Sequence, residues 1–100
     1  MARVSTRESI LAKLRDFKER HGEEYGLRAI GIFGSFARDE AREDSDIDVV
    51  FDTSMPNLFR TSRMRQDLEE LLGRHVDVVR FREDMNPRIR ERIRREARYV

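Results

Sequence analysis

Gly34-Ser35-Phe36-Ala37-Arg38, followed by Ser45-Asp46-Ile47-Asp48-Val49-Val50, is the stretch that decides the fold. An apolar run from Leu27 to Phe33 precedes it, short enough for a strand and closed by Gly34. The chain then turns into a brief helix through Phe36 and Arg38, crosses a polar connector (residues 39–45) and enters a second strand at about Asp46 to Phe51. Strand alternation sends Asp46 and Asp48 to one face and Ile47 and Val49 to the other. Two like charges so close repel, and a cation between them relieves that repulsion. Glycine lets backbone approach a phosphate, and the amides of a helix start point outward to receive an anion. Alone, Gly-Ser after a strand is equally an ordinary helix cap; beside the Asp pair it gains weight.

Outward from this centre the order reads α-β-α-β-α-β-α. Ser5-Thr6-Arg7-Glu8 has capping-box spacing with Ser5 as N-cap, Ile10, Leu11, Leu14 and Phe17 follow at helical spacing, and Gly22 is the expected stop. Met64, Leu68, Leu71 and Leu72 form a second helical face closed by Gly73, read as core rather than cofactor contact. Val76 to Phe81 reads as a third strand carrying Asp77. Asn86-Pro87 opens a last helix whose buried stripe is Ile89, Ile93 and Ala97, with Glu91 and Arg95 as an i, i+4 pair. The fold class is α/β: a small mixed sheet of about three strands flanked by helices, the first two strands antiparallel. Residues 1–100 are expected to form one domain. Phe59, Met55 and Val100 suit either core or an interface.

Charged residues make up 41% of the chain against 38% hydrophobic, with a net charge of +1, so the molecule as a whole is no polyanion binder. Its charge is unevenly spread: residues 38–52 are rich in acid, whereas residues 88–98 hold six arginines. Those arginines read first as a solvated face. Phosphate, RNA or an acidic partner is the alternative, and without interleaved aromatics nucleic-acid binding is disfavoured. The chain lacks cysteine, which excludes disulfides and thiolate metal sites. No membrane span or secretory signal is visible, and a cytoplasmic protein is expected. His21 and His75 stand isolated near element ends and are assigned no chemistry.

Asp46, Asp48 and Asp77 all sit in strands otherwise built from Val, Ile and Phe, against strand propensity and at a desolvation cost. If strands two and three are neighbours, the three carboxylates suit Mg²⁺, completed by water and substrate phosphate. Surface ion pairs with arginines are the competing reading and rank below it. Arg38 either supports phosphate or pairs with a local acid.

Gly-Ser-x-Ala-Arg, then Ser-Asp-x-Asp with apolar neighbours, then a later strand Asp, resembles the DNA polymerase beta nucleotidyltransferase superfamily. At this length the chain is similar to the minimal nucleotidyltransferases, antitoxins paired with HEPN-domain toxins. The resemblance implies that Gly34 and Ser35, with Arg38 in support, hold the phosphates of ATP. It implies that Asp46 and Asp48 bind Mg²⁺, two ions in all, and that Asp77 is the third carboxylate, assisting deprotonation of the acceptor. It further implies transfer of AMP to a hydroxyl, a tyrosine of the HEPN ribonuclease toxin, in an oligomeric complex with that partner. A binding-only antitoxin, an aminoglycoside-type transferase and a nucleic-acid-binding regulator are the rival readings. Asp39 departs from the family pattern, standing where many relatives have Gly; Asp tolerates left-handed geometry, so the turn is expected to survive.

Overall fold

A computed structural model describes residues 6–100. The elements are α1 (Arg7–Tyr25), β1 (Leu27–Phe33), β2 (Ile47–Thr53), α2 (Leu58–Leu72), β3 (Val76–Arg80), α3 (Pro87–Glu96) and β4 (Arg98–Tyr99). The strands form one mixed sheet in the order β3-β2-β1-β4. β1 runs antiparallel to β2 and β4, and β2 runs parallel to β3.

The expected Ser5 cap lies outside the described residues; within them, the Thr6 hydroxyl caps α1 by accepting from Ser9 N at 3.0 Å. Gly22 does not stop α1. The helix runs one turn further because Gly26, at φ 60°, supplies the left-handed cap. That extra turn buries Tyr25 against Phe17 and lets its hydroxyl donate to Asp67 on α2. The price is a glycine inside the helix, about 1 kcal/mol against alanine.

The short helix expected after Gly34 is a single turn. Arg38 N donates to Gly34 O (3.0 Å), Asp39 N to Phe36 O (3.2 Å) and Glu40 N to Ser35 O (2.8 Å), after which the chain leaves helical geometry. Asp39 sits at φ 60° and reverses the chain, as its side chain permits. α2 and its Gly73 cap stand where the sequence puts them, with Asn57 as N-cap. In α3 only Ile93 is fully buried. Ile89 is 37% exposed and Ala97 half-buried outside the helix, so the expected three-residue stripe reduces to one anchor. Arg95 lies 3.8 Å from Glu96 rather than pairing with Glu91.

Strand alternation separates two layers. Ile30, Ile32, Ile47, Val49, Phe51 and Val76 face α1 and α2 and join the larger core. Phe33 and Val50 face the other way, packing with Met85 and Ile93 under α3. Phe59 is 87% exposed and belongs to neither core. Asp46, Asp48 and Asp77 fall in register with this second, thinly covered face.

Candidate active site

The parallel register of β2 and β3 sets Ile47 beside Val76 and Asp48 beside Asp77. The apolar pair turns inward, and the acidic pair shares the face that α3 covers only in part. Asp46 precedes β2 by one residue, so its strand start falls slightly later than the sequence suggests. The approach to it is braced by Arg74, whose guanidinium donates to Ser45 O at 2.9 Å and lies 5.3 Å from the centre of the Phe36 ring.

The three carboxylates share this face, with Asp46 and Asp77 within 4.8 Å of each other and Asp48 outside that closest set, and their environments differ. Asp46 and Asp77 are exposed, whereas Asp48 is half-buried. Burial pushes the Asp48 carboxyl above its ordinary range, and the Asp77 and Asp46 carboxylates push it the same way, while Arg92 and Arg38 partly offset the rise.

Gly34 is required on two grounds. Its φ is 78°, and a Cβ there would lie 2.2 Å from Asp48 Oδ2. The turn is thus pressed directly against the acidic pair. Arg38, one turn on, donates from Nε to Glu40 (2.9 Å) and from Nη1 to Glu96 Oε1 (3.1 Å). Gly34 N donates to that same Glu96 oxygen at 3.1 Å. Backbone amide and guanidinium converge on one anionic oxygen, which is the task expected of them, yet the anion is the protein's own. Glu96, with a side chain 10% exposed and Arg92 and Arg95 each 3.8 Å away, was not legible as a site residue. It stands 62 positions from Gly34 and no local spacing signals the contact.

His75 corrects the sequence reading more sharply. It is not isolated: its Nδ1 lies 3.4 Å from Asp46 Oδ2 and 4.0 Å from Asp77 Oδ1. One ligand atom from each of Asp46, His75 and Asp77 falls within 4.8 Å of the others. The signal was present in the sequence, since His75 and Asp77 are i, i+2 and so share a face. A groove of about 360 Å³ between α1 and α2, lined by Phe17, His21, Asp67 and Glu70, lies across the sheet and shares no residue with this cluster.

Residues 13–100 match the Nucleotidyltransferase domain family. Protein adenylyltransferase MntA of Thermococcus cleftensis is 38% identical over 96 residues, which cover 95% of this chain and 96% of that protein. A solved structure described as a candidate minimal nucleotidyltransferase superposes with a TM-score of 0.80 at 33% identity, covering 99% of this chain and all of the other. A complex of a tri-AMPylated Shewanella oneidensis HEPN toxin with an MNT antitoxin aligns with a TM-score of 0.69. That alignment spans 94% of this chain and 71% of the other, and its 16% identity speaks to the fold alone.

Proposed function

The chain belongs to the nucleotidyltransferase domain family and is a nucleotidyltransferase; from that premise we propose that it transfers AMP from ATP to a tyrosine of a HEPN ribonuclease toxin and is that toxin's antitoxin. The observation that carries the reading is the register of Asp48 with Asp77, next to Asp46 and against the Gly34 turn. The relative named as a protein adenylyltransferase supports AMP as the group moved, and the toxin–antitoxin complex of the same fold supports the partner. Cytoplasmic residence, where ATP is available, agrees with a chain free of cysteine.

In this reading the acceptor oxygen attacks the α-phosphorus, a new O–P bond forms, the bond to the β-phosphate oxygen breaks, and pyrophosphate leaves. Asp77 takes the hydroxyl proton. Gly34 N–H, Ser35 and Arg38 hold the triphosphate, which then takes the place of the Glu96 carboxylate. Asp46, Asp48 and Asp77 offer the hard oxygen donors that Mg²⁺ prefers and would hold it. Bound there, Mg²⁺ supplies charge neutralisation on the phosphates and lowers the pKa of the attacking hydroxyl. Asp48, the most desolvated of the three, gains most from a cation, which removes the repulsion it feels from Asp77.

The experiment is co-expression with the cognate HEPN protein followed by intact-mass measurement. The expected result is a partner heavier by one or more AMP groups, with the addition lost in the Asp46→Asn, Asp48→Asn double variant. An unmodified partner whose toxicity the double variant still neutralises establishes contact-only inhibition instead.

A further inference from the structure

The geometry points to His75 as a nitrogen ligand of the site's divalent cation, completing a mixed set with Asp46 and Asp77 that accepts a transition ion such as Mn²⁺ more tightly than Mg²⁺. The inference rests on the metal site proposed above and deepens it.

Four residues form a two-by-two patch on one sheet face. Asp48 pairs with Asp77 in the β2–β3 register, and two residues earlier, just before the two strands begin, Asp46 lies alongside His75, where Ile47 N donates to His75 O at 3.0 Å. The imidazole Nδ1 turns toward both exposed carboxylates, at 3.4 and 4.0 Å. The three donor atoms lie within 4.8 Å of one another, while trans ligands on an ion with bonds of about 2.1 Å stand roughly 4.2 Å apart. Side chains open to solvent on one strand face close that gap by small rotations.

The other ring nitrogen supplies the second reason. His75 Nε2 lies 3.9 Å from Glu69 Oε2, on the far side of the ring from the aspartates. Glu69 is anchored: its Oε2 accepts from Val76 N at 3.0 Å, and Arg65 lies 3.4 Å from both of its oxygens. Histidines that ligate metals present one nitrogen to the ion and donate from the other to a carboxylate or carbonyl, which fixes the tautomer. A small rotation from this 3.9 Å separation, which is beyond hydrogen-bond reach, would let Glu69 accept the Nε2 proton and leave the Nδ1 lone pair aimed at the acidic pair. Imidazole favours transition ions, whereas an all-carboxylate set suits Mg²⁺.

The test is electron spin-echo spectroscopy of Mn²⁺ bound to the full, nucleotide-free chain, with dissociation constants from titration of Mn²⁺ and Mg²⁺. The expected result is ¹⁴N modulation from a directly bound imidazole, replaced by the ¹⁵N pattern when the protein carries ¹⁵N-histidine. His75→Gln abolishes the modulation and weakens Mn²⁺ about tenfold or more, with less than about threefold change for Mg²⁺. His21→Gln keeps it. The isotope experiment uses the unaltered protein, so it needs no variant to fold. Saturable Mn²⁺ binding with no histidine nitrogen coupling overturns the inference and leaves the carboxylate site standing. No saturable binding of either ion, or Mn²⁺ binding that Asp46→Asn leaves unchanged, overturns the metal reading itself.

Discussion

Asp48 carries opposite consequences for stability and for chemistry. Its carboxyl is raised by burial, then by Asp77 and Asp46, so in the metal-free protein the ionised form costs stability. The sign follows: the cost is fully present above the raised folded value and is relieved as pH falls toward the unfolded value near about 3.9. Asp48→Asn is therefore expected to raise Tm in chelator at pH 7 by about 2–4 °C, a small gain because the side chain is half open to solvent and screened. The advantage over wild type should shrink as pH falls through the raised folded value, where wild-type Asp48 takes up its proton. The same variant should lose AMP transfer by at least about 10²-fold. Calorimetry across pH checks the first outcome, and a variant no more stable than wild type at pH 7 contradicts it. The Asp46–Asp48 pair was legible because strand alternation is a local rule, whereas the parallel β2–β3 pairing that brings Asp77 alongside is non-local and stood in the sequence only as a condition. Glu96 was not legible, since only the return of the chain end to β1 brings it to Gly34 and Arg38. Glu96→Gln keeps a hydrogen-bond acceptor but removes the resident charge, so ATP should bind about three- to tenfold more tightly while Tm falls. Isothermal titration reads the first change, and weaker ATP binding would contradict the competition between carboxylate and phosphate.

At the scale of elements, Gly31 decides whether β4 exists. β4 pairs with β1 through Gly31 and Ile32, and a Cβ on Gly31 would lie 2.2 Å from Arg98 O. A backbone atom cannot yield as a side-chain tip can. Gly31→Ala should cost about 1–3 kcal/mol by overpacking, measured by urea denaturation. It should also release the Val100 N–H from Ile30 O and the Val100 carbonyl from Lys18, read as faster amide exchange over residues 98–100. Unchanged protection there would show that the strand accommodates the methyl group. This contact explains what sequence pattern did not reveal. Arg98 and Tyr99 make a two-residue strand with no apolar alternation, formed only because a glycine two strand positions before Phe33 leaves room. The long helices, the antiparallel β1–β2 pair and the Gly73 and Asn86 caps follow from local chemistry and were readable, whereas the Asn57 cap emerged only with the structure. The end of α1 was misjudged because two glycines compete, and burial of Tyr25 favours the second.

Across the whole molecule the two faces of the sheet are unequally secured. The α1–α2 face buries Ile10, Leu14, Phe17, Met64 and Leu68 against the strands, whereas α3 is held chiefly by Ile93 against Phe33, Val50 and Met85. Elements with few buried contacts open at lower free energy than the rest. Hydrogen exchange under native conditions should therefore show α3 and β4 opening before α1, β1 and β2. Ile93→Ala, expected to cost about 2–4 kcal/mol, should strip protection from α3 while α1 keeps most of its own. The consequence reaches the site, because α3 ends in Glu96 and Glu96 occupies the Gly34 amide. Each opening of α3 uncovers that amide and Arg38 together, so the weakest-held helix governs access to the anion cradle. Exchange that proceeds at one common rate through all three helices, in wild type and in Ile93→Ala alike, would mean that the fold opens only as a unit and that α3 has no independent control.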